Sequence, residues 1–210
     1  MGRYIGPKCR LCRREGIKLM LKGARCESAK CAMEKQGRNF PPGPKSFRRG
    51  RGTEYSVRLR EKQKVKRYYG VFEKQFMNYF HAAERQKGHT GAILLSLLER
   101  RLDNVVYKLG FALSHAASRQ VVSHGHVHVN GRRIDVASYL VRVGDRITIK
   151  DAEPSKKLVR GSLEELGEPH VQNWLKLDQT ALTAEVIATP TRDDVMIPVE
   201  DQLIVEFCSR

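Results

Sequence analysis

Between Ser114 and Gly131 the sequence SHAASRQVVSHGHVHVNG changes its apolar period from that of a helix to that of a strand within a few residues. Ala117 and Val121 stand at helical spacing and Gly125 offers the stop. Val127 and Val129 then alternate with His126 and His128 and run into Asn130-Gly131, a strong two-residue hairpin signal. Ahead of this segment Leu98, Leu102, Val105, Leu109 and Ala112 recur at helical spacing, and Gly110 marks the end of that earlier helix. The pattern predicts a compact helix-helix-hairpin module between Arg100 and Asp145. Its second helix needs only small residues in the core, so Arg119 and Gln120 are expected to point outward.

The run Ala117-Ser118-Arg119-Gln120 to Val127-His128-Val129-Asn130-Gly131, continued by Ile134 and closed by Val143-Gly144-Asp145, resembles the RNA-binding domain named after small-subunit ribosomal protein four. The start Met1-Gly2-Arg3-Tyr4-Ile5-Gly6-Pro7-Lys8, the stretch Leu59 to Phe76, the run Arg101-Leu102-Asp103-Asn104-Val105-Val106-Tyr107 and the ending Leu203-Ile204-Val205-Glu206-Phe207 extend the resemblance nearly end to end to the bacterial-type ribosomal protein four family, in its zinc-knuckle-containing form. The resemblance implies an α+β fold. A mostly helical domain is completed by C-terminal strands, and it carries an inserted helix-helix-β-hairpin RNA-binding domain and an N-terminal metal knuckle. The implied divisions are 1–45 (knuckle arm and basic linker), 46–98 (first helical part), 99–157 (inserted RNA-binding domain) and 158–210 (completion of the helical domain). The implied function is that of a non-catalytic constituent of the small ribosomal subunit. Such a protein binds a multi-helix junction of small-subunit ribosomal RNA, nucleates assembly of the subunit body and contributes to translational accuracy. Ribosomal protein five is the implied neighbour, and messenger RNA in its channel is a further implied contact.

The charge pattern agrees with a polyanionic partner. The chain carries a formal charge of +16, and residues 1–76 hold 22 Lys+Arg against 6 Asp+Glu, whereas 77–210 hold 17 of each. A basic block of this kind binds phosphates by releasing counterions. No apolar face accompanies it, as an interfacial helix would require, and no run approaches a transmembrane span or a signal-peptide core. No membrane, no small-molecule substrate and a cytoplasmic, ribosomal setting are the expectations.

Cys9-x2-Cys12 and Cys26-x4-Cys31 are two close pairs across a short loop, the spacing of a tetrahedral metal site. Four thiolates leave no open position for water, so the site is read as structural zinc. An iron-sulfur cluster takes the same four ligands and is one alternative, and disulfides, disfavoured in a reducing cytosol, are the other. Arg3, Lys8, Arg13 and Arg14 surround the first pair and are expected to meet phosphate. Residues 36–53, rich in Gly, Pro and Arg, read as an extended arm whose Arg48, Arg49 and Arg51 add contacts, or as a disordered spacer.

From Glu54 a long helical stretch is interrupted at Gly70. Arg58, Lys62, Lys64 and Arg67 lie too densely for one face, and few acids interleave at i,i+4, which leaves phosphate as the expected counter-charge. Beyond Gly70, Phe72, Phe76, Tyr79, Phe80 and Ala83 read as core, and core packing is also preferred over base stacking for Tyr68 and Tyr69. A further helix is expected at 91–98.

In the central module Arg101, Arg119, Gln120, Ser123, His124, His126, Asn130 and Arg132 are the candidate RNA contacts. Arg101-Leu102-Asp103 also resembles the motif carrying the catalytic Asp of pseudouridine synthases, but here it opens a helix, and Asp103 reads as structural. His124, His126 and His128 lack a carboxylate or fourth ligand nearby and read as an RNA-facing edge instead of a metal site. Residues 147–210 hold 7 Lys+Arg and 12 Asp+Glu. A short helix is expected at 162–166, strands at 171–177, 181–188 and 203–207, and an acidic loop between the last two. Cys208 reads as a small apolar residue.

Overall fold

The computed structural model describes residues 2–35, 37–43, 52–167 and 171–209. In chain order the described residues form α1 (Cys9–Glu15), a 3-10 turn (Gly23–Cys26), α2 (Glu54–Tyr68), α3 (Glu73–Glu84), α4 (Thr90–Glu99), α5 (Leu102–Lys108) and α6 (His115–Ser123). There follow β1 (Val127–Val129), β2 (Arg132–Arg133), β3 (Arg146–Ile149), α7 (Glu153–Leu166), β4 (Leu175–Asp178), β5 (Thr183–Val186) and α8 (Asp201–Cys208). The chain divides into two compact units, Met1–Leu95 with Met196–Arg210, and Ser96–Val195. Among the described residues no helix is long and apolar enough to cross a membrane.

In the first unit Thr53 caps α2, its Oγ1 accepting the Ser56 N–H at 3.3 Å, and Glu54 favours the positive end of the helix dipole. Val65 and Tyr68 bury one stripe of α2, which packs against α8. Segment 203–207 is therefore helical and not the expected strand. Its β-branched run reads as strand-forming, but seating Ile204 fully out of solvent decides the conformation. On α3, Phe76, Tyr79, Phe80 and Ala83 form the buried face. Phe72, expected in that core, sits before the helix as its N-cap and is half exposed. Tyr68 and Tyr69 are buried, their rings meeting edge to face with centroids 4.9 Å apart.

The second unit is built on a five-stranded antiparallel sheet of order β2-β1-β3-β5-β4. Asn130 and Gly131 turn the β1-β2 hairpin with φ of 51° and 77°, both positive as a type I′ turn requires. The two C-terminal strands are shorter than expected and pair with each other, and β5 also pairs with β3, where Ile147 faces Ala184. They complete the sheet of the central module instead of the helical domain. The reason is apolar burial: Trp174, Leu175, Ala184 and Val186 belong to one core with Val105, Phe111, Val122, Val127 and Ile147. The expected 162–166 helix is the last part of α7, which starts with Pro154 in its first turn, where a missing N–H costs nothing. The expected continuous helix through Leu98 and Leu102 breaks at Arg100-Arg101, where Arg101 bridges to Leu140.

Candidate nucleic-acid interface

The hairpin is fixed from behind. The Asn130 side chain donates to Asp145 Oδ1 at 2.8 Å while its own Oδ1 accepts the Arg146 N–H at 2.9 Å, and Asp145 also accepts the Arg142 N–H at 2.7 Å. The amide of Asn130 is thus held by the protein on both sides, while the residue stays exposed. Arg132, beside it in the hairpin, is exposed.

Ser114 caps α6, its hydroxyl accepting the Ala117 N–H at 3.3 Å. Gln120, Ser123 and His124 lie on the exposed side of this helix and its end. Arg119 does not. Its guanidinium is 3.6 Å from Asp103 Oδ2 and its side chain is 13% exposed, so the outward orientation expected for it is wrong. The buried carboxylate of Asp103 on the neighbouring α5 draws the cation inward. Arg101 is fully buried, its Nε and Nη2 donating to the two oxygens of Asp103. It cannot touch RNA, which corrects the role expected for it. The same carboxylate accepts the Asn104 N–H at 3.0 Å, so Asp103 is a structural anchor.

Of the histidine stripe, His124 is exposed, while His126 is half-buried with Nδ1 2.9 Å from Ser155 Oγ. Burial, reinforced by His124 and Lys150, pushes the His126 pKa down. A cavity of about 230 Å³ opens between α6 and α7, lined in part by Ala117, Gln120, Val121, His124 and Leu158.

In the first unit the basic residues of α2 find acids both on α2 itself and on distant segments. Lys62 is buried and donates to Glu73 at 2.6 Å, with its ammonium 4.4 Å from the centre of the Phe207 ring. Lys64 bonds Glu61 at 2.5 Å and the Pro198 carbonyl at 3.1 Å. Arg58 bonds both Glu206, at 2.8 Å, and Glu54, at 3.0 Å. Arg67 bonds Glu15, which Arg60 also reaches at 3.4 Å. Part of the counter-charge of these residues is therefore supplied within the protein. Counting i,i+4 partners could not reveal acids brought by α1, α3 and α8. Glu73 is held below its ordinary value: burial opposes ionisation, but the bonds from Lys62 and Lys66 outweigh it.

On the N-terminal segment Arg3 and Arg14 are exposed, Arg13 donates to the Phe40 carbonyl at 2.7 Å and Lys8 to the Tyr4 carbonyl at 2.8 Å. Arg48, Arg49 and Arg51 lie outside the described residues. Cys12, Cys26 and Cys31 are buried, Cys9 is half-buried, and none is in a disulfide. Among the described residues no group of three or more His, Cys, Asp or Glu converges as a metal site. The donor chemistry nevertheless suits a thiolate-binding ion. The Lys22 N–H lies 3.3 Å from Cys26 Sγ, the Leu19 N–H bonds the Cys12 sulfur, and the other three cysteines lie near enough to Cys12 to oppose its ionisation. Burial is the larger cause that pushes the Cys12 and Cys26 thiols up.

Comparison with known proteins places these features in a family context. The pattern of the ribosomal protein S4/S9 N-terminal domain matches residues 3–99, and that of the S4 domain matches residues 100–147. The chain is similar to small ribosomal subunit protein uS4 of Thermus thermophilus, with 53% identity over 211 aligned positions. It is also similar to uS4A of Symbiobacterium thermophilum (51% over 210) and to uS4 of Desulfitobacterium hafniense (52% over 211). In each case 100% of both chains is covered.

Proposed function

Because this chain belongs to the uS4 family of small ribosomal subunit proteins, we propose that it is a structural constituent of that subunit that binds small-subunit ribosomal RNA. It acts at a multi-helix junction, nucleates assembly of the subunit body and contributes to translational accuracy, in the cytoplasm and as part of the ribosome. The observation that carries this reading is family membership over the whole chain, joined to a rigidly backed hairpin module whose free rim is polar and basic. The family is one of ribosomal structural proteins and not of enzymes. Asp103, engaged by Arg101, Arg119 and the Asn104 N–H and buried, serves as a structural anchor.

RNA recognition divides between two kinds of contact. Gln120, Ser123, His124 and Arg132 supply the module's exposed rim, with His126 behind it, and they select RNA shape. Arg3 and Arg14, with Arg48, Arg49 and Arg51 of the arm, supply phosphate contacts. The four cysteines bind structural zinc, supported by their spacing and by the N–H groups directed at two of the sulfurs. When bound, the ion supplies a cross-link that orders the basic loop between the two cysteine pairs. Ribosomal protein five and messenger RNA in its channel are the further partners, resting on family resemblance. The test is sedimentation: the tagged chain should travel with small subunits in a sucrose gradient, and recovery mainly with transfer RNA or free at the top would refute the reading.

A further inference from the structure

Glu15 ends α1, where Gly16 closes the helix in the left-handed conformation with φ of 72°. Its side chain is 1% exposed, and two guanidinium groups converge on one of its oxygens: Arg67 Nη1 hydrogen-bonds Oε1, and Arg60 Nη1 lies 3.4 Å from the same atom. Arg60, Lys64 and Arg67 stand at i, i+4 and i+7, one stripe of α2. Arg14 and Lys64 also lie close enough to act on the Glu15 charge. With Glu61 paired to Lys64, four cations face two carboxylates, leaving a local charge of +2. Arg60 and Arg67 remain 31% and 22% exposed, so part of each side chain reaches the surface.

We propose that Arg14, Arg60 and Arg67 form a phosphodiester-binding site in which Glu15 is the positioning residue, holding two like-charged guanidinium forks side by side for one stretch of RNA backbone. The proposal rests on the RNA-binding reading above and deepens it. Two guanidiniums at this spacing repel, and a buried carboxylate holding both by one oxygen fixes them where a phosphate can be gripped bidentately.

The test measures affinity of the full chain for small-subunit ribosomal RNA. Simple charge counting predicts that Glu15→Gln, which adds one positive charge, tightens binding. The proposal predicts the opposite sign, a weakening of about tenfold, the size of one charge-assisted hydrogen bond. Arg60→Lys with Arg67→Lys, which retains charge and loses the forks, should weaken binding comparably and guards against misfolding in the first variant. Unchanged or tighter binding by a folded Glu15→Gln chain, or full affinity of the double lysine variant, would overturn the site. Saturation of the Arg60 and Arg67 Nε–H resonances by inorganic phosphate, with RNA leaving them unmoved, would also overturn it. A wild-type chain that fails to bind this RNA at all would instead refute the functional reading.

Discussion

Arg101 and Asp103, two residues apart, grip each other through two parallel hydrogen bonds, Nε to Oδ1 at 3.0 Å and Nη2 to Oδ2 at 2.6 Å, with the arginine fully out of solvent. Breaking a buried pair leaves one charge uncompensated, so Arg101→Ala should cost about 3–5 kcal/mol of stability in the central unit. Lysine should not restore it, since it cannot reproduce the fork. Urea melts followed by circular dichroism measure the loss. RNA affinity measured on the folded fraction should be unchanged, and a loss there at full stability would return Arg101 to the interface.

His115 supplies a pH dependence. Burial, with Lys108 and Arg101 adding to it, pushes its pKa down to about 3, from an ordinary value of 6.5. The folded form therefore holds fewer protons than the unfolded form between these values, and stability falls as pH drops below about 6.5, levelling off once both forms are protonated. Between pH 6.5 and 4.5 this group should remove about 2 kcal/mol. His115→Phe, which keeps a ring beside Tyr107 at the present 4.0 Å centroid spacing, should flatten that part of the pH profile in thermal melts. An equal slope in both proteins would contradict the assignment.

Much of the central module was legible in the sequence because its punctuation is local. Ser114 as a cap, Gly125 with φ of 72° and the Asn130-Gly131 turn each announce themselves within a few residues. What sequence reasoning missed is non-local. The pairing of β3 with β5 joins Thr148 to Thr183 across a whole helix, and no periodicity signals it. Lys62 reads as an exposed cation until Glu73 arrives from beyond Gly70 and α8 brings Phe207. The inward turn of Arg119 depends on Asp103, sixteen places earlier and on another helix, so its place in the pattern gave no warning. Glu15 was missed as well, and its only sequence signal was the i, i+7 pair of arginines that meets it.

The cysteine site should bind one metal ion per chain. Cobalt(II) substitution should yield the visible bands of tetrahedral thiolate coordination, saturating at one equivalent, and Cys26→Ser should abolish them. Chelation should lower the melting temperature of the N-terminal segment and spare the central unit, whose core includes none of these cysteines. Absence of the bands in freshly reduced protein would exclude the site.

Deleting residues 1–45 removes the exposed Arg3 and Arg14 together with the cysteine loop. The slope of log affinity against log salt should become shallower by about 0.7–0.9 for each phosphate that the shortened chain no longer neutralises. An unchanged slope would show that this segment neutralises none.

Footprinting of the purified chain on protein-free small-subunit ribosomal RNA reads the place of binding itself. One compact multi-helix junction should be protected, and Gln120→Ala with Arg132→Ala should weaken that protection without moving it. Protection scattered along the RNA, or equal protection of transfer RNA, would show that the chain does not recognise that junction.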